Sequence, residues 1–121
     1  MSLIDVHARL STTLLLYTLL MAIWGLWRYF RREGVNSSYW GALVILEVIV
    51  LLQGLLGVYL WVSGVGKLSG YLHVLYGAFN ALLLPGIFAF TRGDDSRRTM
   101  LIYGVAQVFM VGTLLRSVVT G

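Results

Sequence analysis

The chain has 121 residues, 59% of them hydrophobic and 12% charged, and its mean hydropathy of +0.84 is more than a water-soluble fold of this size can hide. It contains no cysteine, which excludes disulfides, iron–sulfur ligation, thiolate metal sites and covalent CxxCH haem attachment. The net charge of +4 sits in the connections between apolar stretches, so it reads as orienting charge for a membrane protein, and nucleic acid is not an expected partner.

A helix that crosses a bilayer needs roughly 20 mainly apolar residues. The sequence divides into four such spans, at about residues 8–30, 39–62, 68–91 and 98–118. They predict one all-α integral membrane domain over residues 1–121, with four transmembrane helices in an up-down-up-down bundle. The first span is read as a retained helix. Asp5 and His7 stand where a signal peptide would carry positive charge, and no small-residue cleavage site follows.

The connection after the first span carries Gly34 and Asn36, and the Ser37-Ser38 pair before Tyr39 is the expected N-cap of the second helix. Within that helix Glu47 is the one carboxylate inside a span; interhelical packing is its expected role, with proton transfer or a quinone hydrogen bond as the functional alternative. It is a poor candidate for a haem ligand. Further along, Gln53, Gly54 and Gly57 combine one amide with two residues that permit close helix approach. The Gly-rich connection Ser63 to Ser69 includes Lys67 and leads to a third helix holding His73, Gly77 and Asn80. Pro85-Gly86 predicts a kink or local unwinding there, because proline removes a backbone donor.

The connection Arg92 to Arg98 places Asp94, Asp95 and Ser96 at the start of the fourth helix, where carboxylates suit the positive end of the dipole. Gly104 and Gly112 in that helix are expected to tighten packing. Gln53, Asn80 and Gln107 are expected to form one hydrogen-bonded layer near mid-bilayer.

Six arginines (Arg28, Arg31, Arg32, Arg92, Arg97, Arg98) gather at one end of the expected bundle, and three basic residues (Arg9, Lys67, Arg116) at the other. The positive-inside rule then predicts an N-out, C-out arrangement in a bacterial cytoplasmic membrane. Trp27, Tyr29, Trp40, Trp61 and Tyr71 fall at the expected interfaces, where amphipathic rings are favoured.

His7 and His73 are the only histidines, and both fall near the outer face. Either one alone would be an ordinary solvated or hydrogen-bonded residue. As a level pair on the first and third helices, which lie diagonally in such a bundle, they are the expected axial ligands of a haem b and its iron. Ser11 and Gly77, each one turn deeper, are small enough to let a flat ring lie against the backbone, and Arg9, Lys67 and Arg116 are the available cations for propionates.

The segment His7-Ala-Arg-Leu, the run Leu51-Leu-Gln-Gly-Leu-Leu-Gly57 and the stretch Leu72-His-Val-Leu-Tyr-Gly-Ala78, in that order, resemble one four-helix half of the haem A synthase family. The similarity runs over most of residues 7 to 90. It implies haem ligation by His7 and His73. It does not imply the synthase reaction: Ile4 stands where that family has a glutamate one turn before its ligand histidine, the cysteine pair of some members is missing, and one bundle is present where the enzyme uses two.

The expected function is therefore that of a haem b-binding electron-transfer subunit, accessory to a respiratory or photosynthetic quinol-linked complex, with no stand-alone catalytic activity. Larger membrane subunits, lipid, and a quinol or cytochrome are the expected partners, and a bound quinone is a further candidate. A haem-free structural or assembly subunit and a haem-maturation protein are the alternatives.

Overall fold

The computed structural model describes residues 2–63 and 71–120, with the side chains of 71–72 and 117–120 left aside. The described chain is helical apart from its connections: α1 (Leu3–Phe30), α2 (Ser37–Val62), α3 (Tyr71–Thr91) and α4 (Arg97–Thr120). All four are long and apolar enough to cross a membrane. The connection holding Lys67 lies outside the described residues.

Helix starts are set by capping chemistry. The Ser2 side chain accepts the Asp5 backbone N–H at 3.2 Å, and the Asp5 carboxylate accepts the Ser2 N–H at 3.4 Å, a capping box that begins α1 well before the expected boundary. His7 is consequently one turn inside a helix. At α2 the cap is Asn36, whose Oδ1 accepts the Tyr39 N–H at 2.8 Å. Ser37 and Ser38, the expected cap, instead occupy the first turn. The asparagine prevails because its side chain reaches the third residue onward from an extended backbone. Helix α3 runs through Pro85 without interruption, so the expected unwinding does not occur.

The helices form a closed ring in which α1 packs on α2 and α4, and α3 packs on α2 and α4. Tyr39 reaches Met21 and Gln53 reaches His7 along α1/α2, while Arg97 meets Tyr29 and Gly104 meets Leu26 along α1/α4, so each of these pairs is antiparallel. The most extensive interface joins α1 and α4. There a Cβ on Gly25 would stand 2.6 Å from the Tyr39 hydroxyl and 3.2 Å from the Gly104 Cα, so the two glycines bring the backbones together. Gly54 and Gly112 face open space and tighten nothing.

At the arginine-rich end the two connections are joined. The Val35 N–H donates to the Asp95 carbonyl at 2.9 Å, and Gly34 is required beside it, since a Cβ would fall 2.1 Å from that same oxygen. Arg28 donates twice to the Gly34 carbonyl, at 2.9 and 2.6 Å. Arg97 donates to the Tyr29 carbonyl at 2.8 Å with its guanidinium 4.0 Å from the Tyr29 ring centroid. Two of the six arginines thus lock the end of the bundle.

Asp94 organises the entry to α4. Hydrogen bonds from the Ser96 hydroxyl, the Thr99 hydroxyl and the Ser96 backbone N–H hold its carboxyl below the usual carboxylate range, with the nearby Arg98 charge adding to them. A depressed carboxyl pKa contributes stability that is present above the unfolded value, about 3.9, and is lost as pH falls through the folded one. Asp94→Ala is therefore expected to lower the melting temperature in detergent at neutral pH. The gap to the parent protein should close as the solution is acidified below about pH 4; a gap that is constant with pH would contradict this origin.

Candidate functional site

Two side-chain bridges cross the middle of the ring, one in each half of the bundle. In the arginine-rich half, Tyr39 on α2 donates to the Met21 carbonyl at 3.0 Å and accepts from Gln107 Nε2 on α4 at 2.6 Å. The Trp24 ring packs edge-on against Tyr39 at 4.8 Å, and Tyr39 and Gln107 are fully buried. In the other half, the His7 and His73 imidazoles approach across the α1–α3 diagonal with ring centroids 6.5 Å apart and planes at 67°. The helices that carry them make no direct backbone approach.

That separation has a chemical meaning. With metal–imidazole bonds of about 2.0–2.1 Å and ring nitrogens roughly 1.1 Å from the centroid, two collinear imidazole ligands place their centroids about 6.3 Å apart. The observed centroid spacing of 6.5 Å is close to that value. Both Nδ1 atoms are buried with no hydrogen-bond partner. No group of three or more His, Cys, Asp or Glu residues suited to a metal ion occurs among the described residues.

The α2 run containing Gln53 and Gly57 positions His7. The Gln53 Nε2 donates to the His7 carbonyl at 2.8 Å and to the Ser11 hydroxyl at 2.7 Å, and that hydroxyl donates to the His7 carbonyl at 3.0 Å. One turn further, a Cβ on Gly57 would lie 3.2 Å from His7 Cε1, so the imidazole rests directly on the glycine. Ser11 is therefore a hydrogen-bonding partner of the turn that carries His7. Gly77, one turn along from His73, is exposed and meets nothing within 4 Å of its would-be Cβ.

The cations are less well placed. Arg9 follows His7 by two residues, roughly 200° around the helix, and is exposed on a face that the ring does not share. Arg116 is exposed at the histidine end of α4 and is engaged in an interaction of its own. Lys67 lies outside the described residues.

The expected single layer of amides is absent. Gln53 serves α1, Asn80 Oδ1 accepts from the Thr113 hydroxyl on α4 at 3.0 Å, and Gln107 serves Tyr39 on α2, so three separate pairs replace one layer. Side-chain azimuth assigns each amide a different neighbour. Glu47 lies two turns from Trp40, whose ring packs on Phe88 of α3, and so belongs to the α3-facing edge of α2. Its Oε1 is buried without a partner. The interhelical bond expected of it is not formed, and the residue is remote from the histidines in sequence register.

The outer surface between α3 and α4 bears an apolar groove of about 440 Å³, lined by Phe79, Leu83, Ile102 and Phe109 among others. It offers hydrocarbon contact and no reactive group. Sequence reasoning missed Gly25 and the Tyr39–Gln107 bridge; small residues and aromatics at helical spacing are too common in apolar spans to stand out. No family model, curated protein or solved structure matches this chain.

Proposed function

We propose that this chain binds one haem b between His7 and His73 and serves as an electron-transfer subunit of a membrane complex. The observation that carries this reading is the 6.5 Å centroid spacing of two imidazoles from diagonal helices, with a ring seat on Gly57. Two imidazole ligands leave iron no open position, which favours outer-sphere electron transfer over oxygen chemistry. The haem would supply the one-electron couple; the protein orients both imidazoles and surrounds them with apolar helices.

In this reading the four helices run up-down-up-down, with the histidine end at the outer face of a bacterial cytoplasmic membrane and the six arginines inside. Electrons would come from and go to larger subunits, a quinol or a cytochrome. Many outward side chains are apolar, including Leu55, Leu82 and Phe90, and they suit lipid or such subunits equally.

The test is a reduced-minus-oxidised spectrum with haem quantitation on protein made under ample haem supply. About one haem b per chain, with a six-coordinate low-spin spectrum, is expected from two axial ligands. Colourless protein would overturn the proposal and leave a structural subunit.

A further inference from the structure

The Gln53 amide has a chemically determined orientation. Its Nε2 faces the His7 carbonyl, which can only accept, and the Ser11 hydroxyl, whose proton is directed at that same carbonyl. Both amide protons are thereby engaged. The other end of the group, Oε1, is an acceptor buried with no partner. His7 Nδ1 is likewise buried with no partner, on a residue that the 2.8 Å bond to its carbonyl already ties to Gln53. Two buried orphans of matching type, one donor site and one acceptor, thus lie on one residue pair. The imidazole χ2 is a soft torsion, so the ring is free to turn its donor toward that acceptor.

We propose that Gln53 is the positioning residue of the histidine site: its Oε1 accepts the Nδ1–H of His7, which fixes the tautomer that presents Nε2 as the ligand atom. Its NH2 group meanwhile anchors the turn carrying His7 to Ser11, and Gly57 supplies the floor against which the ring is held. The general chemistry is that of a ligating histidine whose second nitrogen is held by an outer acceptor, which sets ring orientation and raises ligand basicity. His73 has no such amide within the described contacts, so the two ligands are inequivalent and tuning acts through His7.

The purpose of this device rests on the haem reading, whereas its geometry does not, and the experiment separates the two. Nitrogen-15 spectra of haem-free full-length protein near pH 8, where imidazoles are neutral, are recorded for the parent, Gln53→Leu and Gln53→Glu, with His73→Ala assigning the resonances. His7 is expected to carry its proton on Nδ1 in the parent and in Gln53→Glu. In Gln53→Leu it should revert to a proton on Nε2.

In haem-loaded protein, Gln53→Leu is expected to weaken haem binding about tenfold or more. Its midpoint potential should rise, because a less basic imidazole favours the ferric state less. Gln53→Glu should lower it; a tenfold change in ferric over ferrous preference reads as about 59 mV. Shifts of opposite sign from the two variants are not produced by a mere packing defect. Parent His7 protonated on Nε2, or potentials unmoved by both variants in protein that holds haem, would overturn the proposal. A Gln53-dependent tautomer in protein that takes up no haem would uphold the positioning role while overturning the haem reading.

Discussion

Protein carrying His7→Ala or His73→Ala is expected to purify with less than a tenth of the parent's haem, each variant alone being as deficient as the pair. Under the haem proposal the two rings act as one unit: with the centroids 6.5 Å apart, removal of either would leave the iron held from one side only. Alanine at position 7 would also uncover Gly57 and leave a void where the imidazole now lies. Global folding should survive, because the buried core around Leu46, Met100, Tyr103 and Met110 is built on other contacts. The measurement is haem per chain, with helical content followed by circular dichroism. Added imidazole is expected to restore part of the low-spin spectrum in His7→Ala. Stoichiometric haem in both variants would show that the histidines are not its ligands.

Gly25→Ala is expected to cause the largest loss of stability of any single-methyl addition within the four helices. The new Cβ would sit 2.6 Å from the Tyr39 hydroxyl, 3.2 Å from the Gly104 Cα and 3.2 Å from the Met100 Cε. Met100 can move, but the Gly104 contact is backbone. The Tyr39 hydroxyl is held between the Met21 carbonyl and Gln107 in a fully buried setting, so displacing it breaks two hydrogen bonds. Overpacking costs about 1–3 kcal/mol, and the stranded polar groups add about 1–3 kcal/mol more. Gly25→Leu should prevent α1 from docking on α4 altogether. Gly112→Ala and Gly54→Ala are the controls: each new methyl meets nothing within 4 Å, and alanine is the better helix former. Reversible unfolding in mixed micelles would rank the variants, and equal stability of Gly25→Ala and Gly112→Ala would refute the α1–α4 crossing.

The two sites occupy opposite halves of one bundle. Around Gly25 the helices are drawn together by small residues and a hydrogen-bonded tyrosine, which makes the arginine-rich half compact and specific. At Gly57 the missing side chain instead lets the His7 imidazole rest on the helix. Glycine in the same sequence therefore has two uses, and only its neighbour decides which applies.

Four apolar lengths, the punctuation between them and the placement of both histidines at one end were all legible in the linear chain. A bilayer-long helix announces itself by composition, and alternate helices in a chain with short connections return to the same end. The fine boundaries were not: Ser2 with Asp5 and Asn36 won the helix starts through local side-chain reach. Nor were the partners. Hydropathy along a span reports depth but not azimuth, and azimuth gave Gln53 to His7 and Ser11, Asn80 to Thr113 and Gln107 to Tyr39 rather than to one another. It also turned Arg9 away from the histidine beside it. Depth was written in the order of residues; facing was decided only when α1 met α4 at Gly25 and Gly104, because the closest backbone contact sets the rotation and register from which every other side chain takes its neighbour.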